Sequence, residues 1–186
     1  INVVLTPPPP PPSQPSRTVS VVTQPPVDEA VLVASLGAFG TPRSISPLAQ
    51  KGAYSATFFD LRAAVAAANR LHGATLGGSR VRARFLDDAA WRQGLLAVHG
   101  VAPTVHNVEV ATLFRNCGDV MDVRGGGGLR VVCFYDVRHA YAALALSGTE
   151  LHGQPIHVLT AALAAAATGG GLSPSALPSP PAHSFA

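Results

Sequence analysis

The chain has 186 residues, a formal net charge of +3 and two cysteines. That length holds one medium domain or two small ones, and two cysteines cannot build a disulfide framework. Aromatic residues make up only 6%, so any core is aliphatic and modest; so mild a charge does not by itself point to nucleic acid, and no segment reads as a secretory signal or a membrane span.

A reducing compartment, nucleus and/or cytoplasm, is therefore expected. With Ile1 at its start and Met121 as its single methionine, the sequence is expected to be a piece of a longer one. Residues 1–16 carry the run Pro7–Pro12 and should form a disordered polyproline-type tail. Arg17–Val22 reads as a strand. Pro25-Pro26 followed by Asp28-Glu29 opens a helix that ends near Phe39-Gly40. Pro42–Ser46 is a short strand and Gly52–Phe59 a central one. Asp60 caps a second helix, ended by Gly73, and Arg80–Phe85 is the last strand of this part.

Residues 87–92 read as a linker, and the order then repeats over 93–160. Leu95–Val98 is a strand. Thr104–Asn107 offers capping residues for a helix with Val110, Leu113 and Phe114 at helical spacing, stopped by Gly118. Val120–Arg124 is a strand, Gly125–Gly128 a loop and Leu129–Tyr135 the third strand. Asp136 caps a helix to about Leu146, and Pro155–Leu159 closes the unit. Ala161–Ala167 could prolong a helix, and the Gly/Ser/Pro-rich remainder to 186 should be a disordered tail.

The repeat is visible in the residues themselves: FFDLRAAVAAA at Phe58–Ala68 and FYDVRHAYAAL at Phe134–Leu144. Each Asp would satisfy free amides at a helix N-terminus, and Arg62 and Arg138 should sit solvated in the first turn. The Ala-rich face lets each helix lie close to a sheet. Each copy is thus a β-α-β-β-α-β, ferredoxin-like α+β unit over residues 17–86 and 93–160.

Two tandem units of this length resemble RNA recognition motifs. The F-[FY]-D-x-R-x-A signature, with the Ala- or Cys-containing step to Gly40 and Gly118, resembles the mei-two-like RNA-binding proteins, including the plant terminal-ear type. The match covers roughly residues 17–160. It implies the two N-terminal domains of that family, a single-stranded RNA ligand, and post-transcriptional regulation of meiosis or development. The family's divergent third domain, its chief RNA-binding unit, has no counterpart in this chain.

Such domains stack bases on exposed sheet aromatics. Mapped onto this sequence, the stacking positions hold Ala53, Ser55 and Val19 or Ser20 in the first copy. In the second they hold Leu129, Val131 and Leu96 or Ala97. None is a ring. Tyr54, Ala56 and Phe58 face the helices by alternation, whereas Phe59 and Tyr135 share the parity of the stacking positions and each offers one ring. Arg80, Arg82 and Arg84 alternate with Val81, Ala83 and Phe85, so three guanidiniums share one sheet face; with Lys51 they make a phosphate track. Basic residues outnumber acidic ones in the first copy and balance them in the second. The candidate RNA-binding residues are Lys51, Ser55, Phe59, Arg80, Arg82, Arg84, His99, Arg130, Val131 and Tyr135.

Other chemistries find little support. The pairs His99/His106 and His152/His157 lack zinc-site spacing. The glycines Gly125–Gly128 lack the Lys-Ser/Thr ending of a phosphate loop. Cys133 has no base nearby in sequence, and Asp87-Asp88 reads as a linker acid pair. No enzyme, metal or other cofactor is expected. The competing reading is a degenerate pair of domains serving protein contacts, with a partner on the apolar sheet face around Leu129 and Val131.

Overall fold

The structure, a computed structural model, describes residues 15–86, 93–161 and 163. The expected Pro-rich run, the linker with Asp87-Asp88 and almost all of the C-terminal tail lie outside those residues. The chain divides into two compact units, the first ending at Asp88 and the second beginning at Ala89.

The first unit runs β1 (Thr18–Gln24), α1 (Glu29–Gly37), β2 (Pro42–Pro47), β3 (Ala53–Phe58), α2 (Leu61–Leu71), β4 (Thr75–Leu76) and β5 (Ser79–Phe85). Its antiparallel sheet has the order β2-β3-β1-β5-β4. Val19, Val21, Leu32, Leu36, Ala56 and Phe58 are fully buried between sheet and helices. Four alanines of α2, Ala63, Ala64, Ala67 and Ala68, are buried with them. Tyr54, expected in this core, is only half-buried, because it lies opposite Pro47 at the end of β2. The short arm β4 is an addition to the expected order. Gly77 and Gly78, at φ 54° and 82°, make the tight turn that pairs Leu76 with Ser79, since two successive positive φ values match strand twist in a two-residue hairpin.

The second unit runs β6 (Leu95–His99), α3 (Asn107–Arg115), β7 (Val120–Gly126), β8 (Leu129–Phe134), α4 (Val137–Ala143), β9 (Glu150–Leu151), β10 (Gln154–Pro155) and β11 (His157–Thr160). The sheet order is β11-β6-β8-β7, with β9 and β10 a separate hairpin. Leu96, Val98, Phe114, Val132, Phe134 and Ile156 are core. The glycine loop is shorter than the sequence suggests. Gly125 and Gly126 pair with Arg130 and Leu129 and finish β7, leaving only Gly127-Gly128 as the turn. The last helix also stops early: Leu144–Leu146 tightens into a 3-10 turn. His106 occupies the N-cap of α3, and its amide donates to Glu109 Oε1 at 2.9 Å.

The strand-to-helix junction is built identically in both units. Asp60 Oδ1 accepts the Arg62 amide at 2.7 Å, while Arg62 Nη2 donates to Asp60 Oδ2 at 2.7 Å. Asp136 accepts the Arg138 amide at 2.8 Å and Arg138 Nη2 at 2.6 Å. The two arginines are therefore more than solvated surface: each closes back on the carboxylate that caps its own helix. Asp136 is buried. That burial is the largest single influence and pushes its carboxyl upward. The Arg138 side-chain and amide hydrogen bonds and the guanidinium charge together outweigh it, and the carboxyl is held below its ordinary value.

A glycine faces each junction. Gly40 and Gly118 sit at φ +150° and +147°. A Cβ on Gly40 would lie 2.8 Å from Ala63 Cβ, and one on Gly118 would run into the His139 ring at still shorter range. Ala63 and His139 are both three residues past the capping Asp, so the glycine lets the first turn of the helix pass close by.

Two outcomes follow. Gly118→Ala should lower stability by about 1–3 kcal/mol, measured as a drop in the urea midpoint; Gly40→Ala should do less, its neighbour being a methyl at the longer distance. Asp136→Asn should destabilise the protein at neutral pH. Because the folded carboxyl titrates below its unfolded value near 3.8, the gap to wild type should be full above that value and close as pH falls through the lower folded one. Calorimetric melts from pH 7 to pH 2.5 check this.

Candidate nucleic-acid interface

With one face of each sheet committed to the helices, the opposite face is what remains for a ligand. In the first unit the register sets it out in rows. Arg80 lies opposite Gln24, Arg82 opposite Val22 and Arg84 opposite Ser20. Beyond β1, Ser20 lies opposite Ser55 and Val22 opposite Ala53. Arg80, Arg82 and Arg84 are exposed, and the residues that alternate with them, Val81, Ala83 and Phe85, are buried. The alternation read from the sequence is realised residue for residue.

Ala53, a stacking position without a ring, is buried, and Ser55 is half-buried. Lys51 is exposed on the loop before β3. Among the described residues no carboxylate pairs with Lys51, Arg80, Arg82 or Arg84; the carboxylates of Asp60, Asp122, Asp136 and Glu109 pair with other groups. The guanidiniums stand as a row along β5, spaced by two residues and unpaired with any carboxylate among the described residues.

Beside that row runs a cleft of about 310 Å³ lined by Val22, Gln24, Gln50, His72, Ala83 and the three arginines. His72 Nδ1 donates to the Ala83 carbonyl at 2.7 Å. It thereby continues the edge of β5 where β4 has ended. Val22, Gln24, Gln50 and His72 are not among the sequence candidates. Parity with Ser20 would have placed Val22 and Gln24 on this face. Gln50 and His72 come from a loop and a helix end, which no alternation pattern reaches.

Phe59 follows β3 and is half-buried; its carbonyl accepts Arg17 Nη1 at 2.9 Å. Arg17 itself is buried, so one of the basic residues of this unit is spent inside the fold rather than on the face.

The second unit differs. His99, Val131 and Tyr135 are half-buried. His99 lies opposite Leu129 and His157, and Val131 opposite Ala97. Arg130 requires a correction. It shares the parity of Val132 and Phe134, is 3% exposed, and donates from Nη2 to the Val105 carbonyl at 2.9 Å and from Nη1 to the Gly127 carbonyl at 2.7 Å. It ties the loop before α3 to the hairpin turn and presents nothing to a ligand. The apolar platform expected around Leu129 and Val131 is also reduced. Leu95, Ala97 and Cys133 in the same face are buried, leaving Leu129 and Val131 half-buried rather than bare. Arg124 on this face is paired with Asp122. The candidate residues thus fall into two sets: a cationic row with a cleft in the first unit, and scattered half-buried groups in the second.

Two tandem β-α-β-β-α-β plaits, each with its helices packed on one sheet face, give the chain the architecture of paired RNA recognition motifs. Its relatives narrow this further. Protein MEI2-like 3 of Arabidopsis thaliana is 31% identical over 154 residues, covering 76% of this chain and 20% of that protein. Protein MEI2-like 2 of Oryza sativa subsp. japonica is 30% identical over 154 residues, covering 76% of this chain and 18% of that one. Over about three quarters of its length the chain is similar to MEI2-like proteins, and it spans about a fifth of the length of those relatives. No protein-family profile matches it. Among solved structures, the Sex-lethal RNA recognition domains 1 and 2 from Drosophila melanogaster are similar at 17% identity and a TM-score of 0.35, covering 78% of this chain and all of that one.

The two kinds of arginine predict opposite behaviour. Arg130→Met should lower the melting temperature, because the Val105 and Gly127 carbonyls lose a donor, a loss of about 1–3 kcal/mol. Arg82→Ala, on the exposed face, should leave stability within about 0.5 kcal/mol of wild type. Thermal melts of the two variants separate a structural arginine from one on the exposed face.

Proposed function

We propose that the protein binds single-stranded RNA, chiefly through the first unit and chiefly by neutralising phosphates with Lys51, Arg80, Arg82 and Arg84. One observation carries this: three exposed guanidiniums on one strand of a ligand face, none paired with a described carboxylate. Without rings at the stacking positions, the roughly 1–3 kcal/mol per base that stacking supplies is missing there. Charge then has to supply most of the affinity, and the half-buried rings of Phe59 and Tyr135 add what they can at the sheet ends. The role is one of binding, with no catalytic step assigned.

The wider setting belongs to the same proposal. Similarity to MEI2-like proteins supports post-transcriptional regulation of meiosis or development, in the nucleus and/or cytoplasm.

The test is fluorescence anisotropy of the chain against a mixed-sequence single-stranded RNA across a salt series. Binding should weaken steeply with salt. The Arg80/Arg82/Arg84→Ala triple variant should flatten the slope of log K against log salt by about 2, since each phosphate left unneutralised on a single strand removes roughly 0.7. A folded protein that shows no binding at low salt, or a triple variant with an unchanged slope, would overturn the proposal.

A further inference from the structure

The cleft beside the arginine row is chemically unlike a phosphate track. A phosphate site needs donors and positive charge. This cleft also holds a half-buried apolar side chain, Val22, and two neutral amides, Gln24 and Gln50, brought to it from the end of β1 and from the β2–β3 loop. Neither side-chain amide has a hydrogen-bond partner among the described residues, and both residues are exposed. Arg80 and Arg82 stand across from Gln24 and Val22 in register.

We infer that this cleft takes one unstacked nucleobase of the bound strand, its faces against Val22 and a guanidinium plane and its edge hydrogen-bonded to the Gln24 and Gln50 amides. This rests on the RNA reading and deepens it. The chemistry fits on three counts. Guanidinium planes accept bases as aromatic rings do. A glutamine amide offers a donor and an acceptor side by side, matching the paired donor and acceptor on a base edge. The volume, about 310 Å³, sits at the lower end for small-molecule sites, enough for one base and its sugar but too small for a stacked run. The cleft thus replaces in part what the missing rings at Ala53 and Ser55 would supply, from a different place on the sheet.

The experiment compares two labelled strands of equal length by anisotropy with the whole chain: a mixed-base RNA octamer and the same backbone carrying stable abasic sites. The base-bearing strand should bind on the order of ten-fold more tightly. The Gln24→Ala/Gln50→Ala variant should lose that difference while keeping the salt slope of wild type, since it removes no charge. Equal affinity of wild type for the two strands, or a difference that survives in the variant, would overturn the inference and leave phosphate binding standing. Failure of both strands to bind at low salt would instead overturn the RNA reading on which it rests.

Discussion

Both units depend on the turn from the central strand into the second helix. Phe58 and Phe134 end their strands fully buried, and two residues later a carboxylate must satisfy helix amides. Asp60 and Asp136 do so, and the arginine two positions on chelates the same carboxylate. That closes a small ring of hydrogen bonds at the point where the chain reverses direction against the sheet. Gly40 and Gly118 leave room for the turn, and the alanines of α2 let that helix settle on the strands. Once the helix direction is set, one sheet face becomes core and the other is left for a ligand.

Two copies of this scaffold carry different outer faces. The first buries Arg17 but keeps a row of charge outside: Arg80, Arg82 and Arg84 project from β5 while its core is made mostly of small and branched aliphatics. The second spends Arg130 inside the fold and pairs Arg124 with Asp122. Its outer face is largely apolar and its central residues are buried. Identical junctions and dissimilar faces separate what the fold needs from what a ligand needs. The signature residues sit at the junction in both copies, and a row of three arginines sits on the face of only one.

For the RNA complex proposed above, the absence of rings at Ala53, Ser55, Leu129 and Val131 shifts the energetic basis of recognition. Stacking is short-range and insensitive to salt, whereas guanidinium–phosphate attraction is long-range and screened. A face built on arginines captures a strand readily and discriminates weakly, unless neutral groups nearby add hydrogen bonds to bases. Val22, Gln24 and Gln50 bring an apolar surface and two amides of that kind, gathered where β1, β5 and the β2–β3 loop meet.

The repeat, the order of elements, the capping aspartates and the outward parity of the β5 arginines are local properties. Periodicity and residues a few positions apart carry them, so they are legible in the amino-acid sequence without a structure. The Gly77-Gly78 turn is equally local, its dipeptide being a hairpin signal in its own right. The inward direction of Arg130 is legible too, since its parity matches Val132 and Phe134. Its carbonyl partners are not, because Val105 is twenty-five residues away. Other features exist only once the chain is folded. The clamp of Arg62 and Arg138 on their own caps is a matter of rotamer and angle, and the burial of Leu95 and Ala97 one of packing. The meeting of Gln24, Gln50 and His72 at one cleft is a matter of register and loop closure. The burial and the cleft depend on where distant segments come to lie, which pattern and spacing along a chain do not encode.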